Sequence, residues 1–302
     1  MKRVTVRTPA TSANLGPGFD CFGCAFDLYN TLTYEETEAG LRFSGFEPKY
    51  ENADNLAVVG YRLVMEALGL PMPGLHIAIR AEIPICRGLG SSSSLLAAGA
   101  IAANALHGGV LSEQEVLTLC TSFEGHPDNL APCLLGGMTA SMMAGDRPVT
   151  VRFAVSPKLR FTALIPDFEF STSAARAALP DNVPRRDAIF NVSHGAILLK
   201  ALETGDTTLL ALAMRDRLHE PYRKPLLPGS EAAEQAARDC GALTFTLSGA
   251  GPTFLCVAED EAFPARIGAR LAGCLPGWEV RPLTVDTRGA VSVLDVMDGF
   301  VA

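Results

Sequence analysis

The stretch Pro84-Ile-Cys-Arg-Gly-Leu-Gly-Ser-Ser-Ser-Ser94 connects a predicted strand, Leu75–Ile83, to a predicted helix, Ser91–Leu106. Serine is a poor residue inside a helix but a good one at its N-terminus, where hydroxyls can satisfy free backbone amides. Gly88 and Gly90 allow a tight turn that exposes the backbone amides. These amides and the positive end of the helix dipole meet at one place, which favours binding of a phosphate group.

Three commoner phosphate-binding motifs do not fit this turn. The P-loop needs a lysine after a glycine, and none of the five lysines follows one. The dinucleotide fingerprint needs a third glycine, where this chain has Ser93, and the nearest match to a protein-kinase DFG motif is Asp167-Phe168-Glu169. Arg87 could add a cation at the rim of the turn. A serine-capped turn without a ligand stays open as the alternative.

A second informative stretch is Pro9-Ala-Thr-Ser-Ala-Asn-Leu-Gly-Pro-Gly-Phe-Asp-Cys-Phe-Gly23, between predicted strands Val4–Thr8 and Phe26–Glu35. Fifteen residues is a long connection, and long loops are often functional. Asn14 and Asp20 are the polar groups in it that could bind a hydroxyl or an ammonium group. The alternative is a plain turn of glycine and proline with Asx caps.

A third glycine-rich stretch, Leu247-Ser-Gly-Ala-Gly-Pro-Thr253, lies between predicted strands Leu243–Leu247 and Phe254–Ala258. Its glycines could let the backbone approach a phosphate group. Taken alone, the stretch favours a simple hairpin, because one Gly-x-Gly is a weak signal.

The order of strands and helices favours an α+β fold over a repeating βαβ sheet. A domain boundary is predicted where Ser156-Pro157 interrupts two strand patterns, giving domains at 1–155 and 156–302. The remaining predicted helices are Asn55–Leu68, Ser112–Ser122 with a capping box at Glu115, and Phe263–Leu271. The remaining predicted strands are Met138–Met143, Thr150–Phe153, Phe161–Ile165, Trp278–Leu283 and Val291–Val296.

Composition limits the class of protein. Hydrophobic residues make up 48% of the 302 residues, and the formal net charge is −8 with no basic run, which argues against a nucleic-acid partner. The beginning, MKRVTVRTPA, lacks the apolar core of a signal peptide, and the weakly polar run Leu95–Leu106 is too short to span a membrane. We therefore expect a cytoplasmic protein without a membrane partner.

Eight cysteines raise the question of metal or disulfide sites. Cys21 and Cys24 form one Cys-x-x-Cys pair, but no second pair follows at zinc spacing. We expect reduced and mostly buried thiols, and a redox role for Cys21 and Cys24 stays open.

Together, the three glycine-rich stretches resemble the three signature motifs of the GHMP kinases, in the order found in that family. Three further segments, Phe170–Arg176, Glu124–Asn129 and Asp216–Arg223, resemble the branch that phosphorylates L-homoserine more than the mevalonate or galactose branches. The resemblance covers residues 3 to about 255. It implies two α+β domains, an N-terminal one like ribosomal protein S5 domain 2 and a ferredoxin-like C-terminal one, with ATP over the glycine-serine turn.

The resemblance also implies site residues. Those expected to bind the nucleotide are Pro84, Arg87, Gly88, Leu89, Gly90, Ser91, Ser92, Ser93, Ser94, Gly249 and Gly251. Those expected to bind the substrate are Asn14, Asp20, His126, Asn129, Thr172, Arg176 and Arg223. Mg²⁺ is expected on Ser92 (or Ser91) and Glu124, because magnesium takes its other ligands from phosphates and water. Many relatives carry a second acid where this chain has Ser122.

The expected roles follow from the substrate's groups. Arg176 and Arg223 resemble carboxylate-binding arginines, a task suited to a planar fork, and Thr172 lies one helical turn before Arg176. Asn14 and Asp20 would hold the hydroxyl and the ammonium group, and Asp128 would orient its loop. Direct in-line transfer is expected, with Asn14 and Asp20 as the catalytic residues and Asp20 as the base if one is needed.

Two alternatives remain at this point. The chain could be a GHMP kinase for another alcohol, or an inactive GHMP paralogue that binds a ligand and acts through protein contacts. Relatives are often dimers, so a homodimer is expected.

Overall fold

A computed structural model describes residues 2–296 and contains two β-sheets with helices packed on them. The strands are β1 (Lys2–Ala13), β2 (Phe22–Thr37), β3 (Leu41–Ser44), β4 (Gly74–Ala81), β5 (Met138–Ala144), β6 (Arg147–Phe153), β7 (Arg160–Ile165), β8 (Thr244–Leu247), β9 (Phe254–Ala258), β10 (Glu279–Leu283) and β11 (Val291–Val296). The helices are α1 (Leu56–Ala67), α2 (Ser91–Leu106), α3 (Glu113–Glu124), α4 (Leu130–Leu135), α5 (Thr172–Ala177), α6 (Arg185–Thr204), α7 (Thr207–Ala213), α8 (Glu220–Arg223), α9 (Ser230–Asp239) and α10 (Phe263–Cys274). The α+β prediction is confirmed.

The first sheet has seven strands in the order β11-β1-β2-β4-β3, with the β5–β6 hairpin joined to β2. The second sheet has the order β10-β7-β9-β8 and is antiparallel throughout. The predicted boundary after residue 155 falls between β6 and β7 and stays a prediction. Strand β11 lies beyond that boundary in the chain but pairs with β1 of the first sheet, and residues 297–302 lie outside the described part.

Helices α1 and α2 pack on the first sheet and lie very close to each other. A Cβ atom on Gly99 of α2 would lie 2.2 Å from the carbonyl oxygen of Ala57 in α1, so only glycine fits at this crossing. The small residues of α2 therefore allow the two helices to approach each other closely. The predicted buried helix Ser91–Leu106 has these same bounds in the structure.

A shared apolar core joins the two sheets. Phe22 and Phe26 of β2 belong to one cluster of buried side chains together with Phe161 of β7 and Leu198 of α6. A separate cluster fills the space between the second sheet and helices α9 and α10. Because the halves of the chain share a core, groups from both can be held at fixed distances across the groove between them.

The predicted fifteen-residue connection between the first two strands is wrong. Strand β1 continues through an irregularity at Pro9/Ala10 to Ala13, and β2 already begins at Phe22, so the turn covers residues 14–21. Small residues make this longer pairing possible. A Cβ atom on Gly23 would lie 1.8 Å from the carbonyl oxygen of Asp128, which shows how tightly this end of β2 is packed.

All eight cysteines are free thiols. Cys24, Cys120, Cys133 and Cys256 are buried, and burial raises the pKa of Cys24 and Cys120 above the usual thiol value, to about 12 for Cys120. Such thiols are unreactive at neutral pH. Within residues 2–296, none of the helices combines the length and the apolar character needed to cross a membrane.

The buried side chain of Asn30 in β2 fixes the beginning of the glycine-serine turn. Its oxygen accepts hydrogen bonds from the amides of Glu82 and Ile83, both at 3.1 Å, and its nitrogen donates to the Ser94 hydroxyl at 3.0 Å. The end of β4 and the first turn of α2 are thus tied to the same strand.

We predict that Asn30→Leu lowers the free energy of unfolding by about 2–4 kcal/mol, because two buried groups and one partly buried amide lose their partner. Urea denaturation measures this change. Asn52→Leu is the matched control: the exposed Asn52 side chain also donates to a carbonyl and accepts from an amide, and its loss should cost less than about 1 kcal/mol. Equal losses in the two variants would contradict the prediction.

Candidate active site

The three glycine-rich stretches contact one another directly. Ser248 donates a hydrogen bond from its hydroxyl to the carbonyl oxygen of Gly88 at 2.6 Å, and the Gly249 amide donates to the carbonyl of Ala13 at 2.9 Å. The side-chain nitrogen of Asn14 donates to the Gly249 carbonyl at 3.1 Å. The hairpin predicted around Gly249 is present between β8 and β9, and its turn is part of the site.

Helix α2 begins without a side-chain cap. Its N-cap residue is Gly90, in the left-handed conformation with φ +70°, and no side chain bonds to the first-turn amides. The prediction that serine hydroxyls cap this helix is wrong, since Ser93 donates to Glu124 and the Ser94 hydroxyl is 2.8 Å from that of Thr8. The amides therefore keep their hydrogen-bonding capacity for a ligand, and the positive helix end favours an anion.

A cavity of about 440 Å³ opens in front of this helix end. It is lined by most of the residues expected from sequence: Asn14, Arg87, Gly88, Gly90, Ser91, Ser92, Glu124, His126, Asn129, Thr172, Arg176, Arg223, Gly249 and Gly251. Five expected residues are not among the lining: Asp20, Pro84, Leu89, Ser93 and Ser94. Leu89, Ser93 and Ser94 are buried beneath the turn, where they support it.

Glu124, at the C-terminal end of α3, faces the serines at the start of α2. The Ser93 hydroxyl lies 2.8 and 2.9 Å from the two carboxylate oxygens, and the Ser92 hydroxyl lies 3.4 Å from one of them. Burial raises the pKa of Glu124 although the serine hydroxyls and His126 oppose this effect. Ser93 is buried and Ser92 is exposed to the cavity, so Ser92 is the serine that a bound ion could reach.

The segment after α3 places an imidazole and a carboxylate in the wall of the cavity. His126 Nδ1 and Asp128 Oδ1 are 2.6 Å apart, and Asp128 Oδ1 also accepts from the Asn129 amide. Burial alone would lower the pKa of His126, but the hydrogen bond to Asp128 and nearby carboxylates raise it overall. Asp128 thus bonds within its own loop and also lines the cavity, while its Oδ2 is buried without a partner among the described residues.

The opposite wall holds two arginines and a carboxylate. Arg176 donates two hydrogen bonds to Asp20, at 2.9 and 3.0 Å, and this bidentate contact raises the pKa of Arg176. Arg223 is only 1% exposed, and burial together with the charge of Arg176 lowers its pKa. Helix α5 carries Thr172 and Arg176 one turn apart, and both line the cavity. The Asp20 amide donates to Asn14 Oδ1 at 2.8 Å, which connects this wall to the first loop.

Phe19 was missed by the sequence analysis although it lies in a quoted stretch. Its ring centroid is 5.2 Å from the Arg223 guanidinium and 5.7 Å from that of Arg176, and the ring stacks on His219 at 5.4 Å. An aromatic face attracts cations, so Phe19 helps to hold two like charges in one pocket. No sequence signal could show this, because α5 and α8 bring the arginines to the ring from far along the chain.

One end of the cavity has an apolar part that was also missed. Phe46, Tyr50, Ile79, Ile83 and Leu95 line it, and they come from separate strands, turns and helices; the polar residues Glu47, Asp54 and Asn55 line the same cavity. Side chains of this kind are ordinary core residues in sequence, so only their arrangement around an opening marks them.

Arg87 occupies the rim but is already engaged. Its guanidinium donates to the carbonyl oxygens of Pro166, at 3.1 Å, and Asp167, at 2.9 Å. The side chain therefore connects the glycine-serine turn to the end of β7 in the second sheet.

The chain matches known protein families. Residues 55–137 match the family described as GHMP kinases N terminal domain, and residues 198–276 match GHMP kinases C terminal. The chain therefore belongs to the GHMP kinases, enzymes that phosphorylate a small molecule with ATP as the phosphoryl donor.

Relatives within the family narrow the assignment. The chain is 42% identical to a homoserine kinase of Clostridium botulinum over 290 residues, which cover 95% of this chain and 98% of that protein. It is 37% identical to a homoserine kinase of Clostridium beijerinckii, with 96% and 98% covered. The crystal structure of a homoserine kinase from Cytophaga hutchinsonii superposes with a TM-score of 0.86 at 29% identity, covering 96% of this chain and 97% of that one. Among the GHMP kinases, the chain belongs to the homoserine kinases. The predicted family and two-domain α+β fold are confirmed.

We predict that Gly88→Ala separates the second and third glycine-rich loops. The φ of Gly88 is +72°, and an added Cβ atom would lie 2.3 Å from the Ser248 carbonyl oxygen, so the change should cost about 2–4 kcal/mol of unfolding free energy. Gly40→Ala, with φ +80° and no atom within 4 Å, isolates the backbone strain and should cost about 1–2 kcal/mol. Thermal or urea unfolding measures both variants, and an equal loss of unfolding free energy in Gly88→Ala and Gly40→Ala would contradict the prediction.

Proposed function

We propose that the chain transfers the γ-phosphoryl group of ATP to the side-chain hydroxyl of L-homoserine, giving O-phospho-L-homoserine for threonine biosynthesis. The observation that carries this proposal is one cavity with an uncapped helix N-terminus at its middle and two arginines with carboxylates at one end. An anion and an amino acid can be bound there side by side. The names of the relatives point to the same substrate.

The lining of the cavity favours one orientation of bound ATP. The apolar end around Phe46, Tyr50 and Ile79 suits a purine base, whereas the backbone amides of Gly88–Ser92 suit the phosphates. Gly249 and Gly251 present backbone without side chains next to the same turn. In this arrangement the terminal phosphate lies towards the arginine end, where the acceptor would bind.

Magnesium fits the carboxylate of Glu124. This carboxylate is partly buried and, among the described residues, forms no salt bridge with Lys or Arg, while the Ser92 hydroxyl faces the same space. Glu124 and Ser92 would hold the ion together with phosphate oxygens, and the ion would neutralise charge on the phosphates. Ser93 would keep the Glu124 carboxylate in position through its hydrogen bonds.

L-Homoserine brings a carboxylate, an ammonium group and a hydroxyl. Arg176 and Arg223 can bind the carboxylate, and Asp20 can bind the ammonium group after it exchanges partners with Arg176. Thr172 lies beside the carboxylate site on α5. Asn14, His126 and Asn129 remain to orient the hydroxyl towards the terminal phosphate.

Positioning supplies the main catalytic effect in this proposal. Phosphoryl transfer passes through a loose transition state, so alignment and charge neutralisation provide most of the rate. Asp20 is held by Arg176 through both carboxylate oxygens, which makes it a better ligand than base. Binding of the hydroxyl by His126 and Asn129 is therefore sufficient for in-line attack, without a dedicated general base.

A coupled assay of ADP release tests the proposal. With MgATP we expect turnover of L-homoserine, and kcat/KM for mevalonate, galactose and threonine lower by at least about 100-fold, because their charges or shapes leave buried groups unpaired. Omission of Mg²⁺ should remove activity. Preferred turnover of another alcohol would indicate a different GHMP kinase, and no turnover of any would indicate an inactive paralogue.

Arg176→Lys tests the carboxylate site. The lysine keeps the charge and loses the planar fork, so the KM for L-homoserine should rise by about 10- to 100-fold while the KM for ATP stays within about twofold. Arg160→Lys is the control, because Arg160 is equally exposed and also paired with a carboxylate, but lies outside the cavity. An equal rise in both KM values would contradict the assignment of Arg176.

Two further expectations belong to the proposal. The absence of a membrane-spanning helix in residues 2–296 and the small, soluble substrate support a cytoplasmic enzyme. A homodimer is the other expectation, and cell fractionation and mass measurements in solution test the two.

A further inference from the structure

His219 is a fully buried histidine directly behind the arginines of the cavity. Its exposed fraction is 0%, and it is not among the residues that line the cavity. It immediately precedes α8, so Arg223 follows it by one helical turn, and its ring is stacked on Phe19. A buried imidazole needs partners for both of its nitrogens, and these partners show what the ring does.

The Nε2 atom of His219 is bound to the first glycine-rich loop. It lies 3.3 Å from the carbonyl oxygen of Gly16, and because a carbonyl oxygen can only accept, Nε2 carries the hydrogen. Asp216 Oδ2 is farther away, at 3.8 Å, and already accepts from the amides of Leu218, His219 and Glu220. The imidazole therefore connects the beginning of α8 to the loop that also carries Asp20.

The other nitrogen, Nδ1, faces Arg223. It lies 3.5 Å from Arg223 Nη1, and a guanidinium group can donate but cannot accept, so Nδ1 carries no hydrogen. The two contacts together define a neutral imidazole with its hydrogen on Nε2. A doubly protonated ring would lose the acceptor and would add a third positive charge beside Arg223 and Arg176.

The hydrogen bonds of Arg223 leave one of its nitrogens for a ligand. Its Nε donates to the carbonyl of Ala175 at 3.2 Å, and its Nη1 donates to the carbonyl of Gly249 at 3.3 Å and to His219. These contacts use three of the five N–H groups, and no hydrogen bond from Nη2 is found among the described residues. Three acceptors from three segments thus fix the plane of the guanidinium, and His219 supplies the one side chain among them.

We propose that His219 is a positioning residue, which holds Arg223 as a neutral hydrogen-bond acceptor and directs Nη2 to the carboxylate of the substrate. The ligand, an amino acid, comes from the proposed function, on which this proposal rests. His219 acts on the carboxylate only through Arg223. Because its Nε2 is bound to the loop of Asp20, the same ring also sets the distance between the carboxylate and ammonium sites.

Substitutions that each keep a different part of the imidazole test the proposal. His219→Phe keeps the stacked ring without either hydrogen bond, so the KM for L-homoserine should rise about tenfold or more, and the KM for ATP should stay within about twofold. His219→Asn puts an amide near the position of Nδ1, where its oxygen can accept from Arg223, and should recover most of this loss. His219→Gln puts its amide near Nε2 and should not.

His107→Phe is the matched control. His107 is partly buried and bonded to Glu36 at 2.9 Å, but it does not line the cavity, so both KM values should match the wild type. An unchanged KM for L-homoserine in His219→Phe, an equal rise in both KM values, or recovery by Gln instead of Asn would each overturn the proposal. Circular dichroism checks that the variants fold.

A double variant tests whether His219 acts through Arg223. When Arg223→Gln is already present, His219→Phe should raise the KM for L-homoserine by less than about threefold, because the group that it positions is gone. An additive effect of the two changes would overturn the proposal.

NMR of the imidazole nitrogens in the unliganded wild type tests the geometry without any activity. At mildly alkaline pH the His219 signal, identified by its loss in His219→Phe, should show the tautomer with hydrogen on Nε2. Hydrogen on Nδ1 would overturn the proposal. Turnover of L-homoserine by the wild type decides the proposed function separately, so an active wild type with an unaltered KM in His219→Phe would refute the role of His219 alone.

Discussion

The close contact between Gly88 and the loop at Ser248–Gly251 is the constraint on which the site depends. It brings the backbone of the first half of the chain against the backbone of the second, at a distance that no side chain on Gly88 would allow. Asn14 reaches the same point and connects it to the loop that carries Asp20. The glycine-serine turn and the arginine end of the cavity therefore keep a fixed separation, which the proposed in-line transfer would require.

Charge is balanced rather than minimised in the proposed acceptor site. Two arginines share the pocket, and burial together with the charge of Arg176 lowers the pKa of Arg223, so holding both charges there has a cost. Asp20, Asp128 and the ring of Phe19 offset this cost from the sides. A zwitterion such as an amino acid adds one charge of each sign and preserves the balance. A neutral sugar has no charges to replace the Arg176–Asp20 ion pair, so breaking that pair to bind a sugar would cost free energy without compensation.

Much of the fold could be predicted because its signals are local. The bounds of Ser91–Leu106 follow from small residues after two glycines, and the capping box at Ser112 is present as expected. The function could also be predicted from the sequence, because the three glycine-rich stretches together are specific for one family. The hydrogen-bond partners of the serine hydroxyls were predicted wrongly. Their actual partners, Glu124 and Thr8, come from distant segments and compete with the local backbone amides. The length of β1, the role of Phe19 and the apolar end of the cavity depend on tertiary packing in the same way.

The pairing of β11 with β1 has a consequence for biosynthesis. During synthesis, one edge of β1 waits about 280 residues for its partner, which at about 5–20 residues per second means tens of seconds. During that time the backbone of β1 offers free amides and carbonyls to any other chain. Arg3 and Arg7 lie on this strand, and charged side chains at an unpaired edge discourage such contacts between nascent chains. We therefore expect these two arginines to discourage pairing with other chains only until β11 has joined β1.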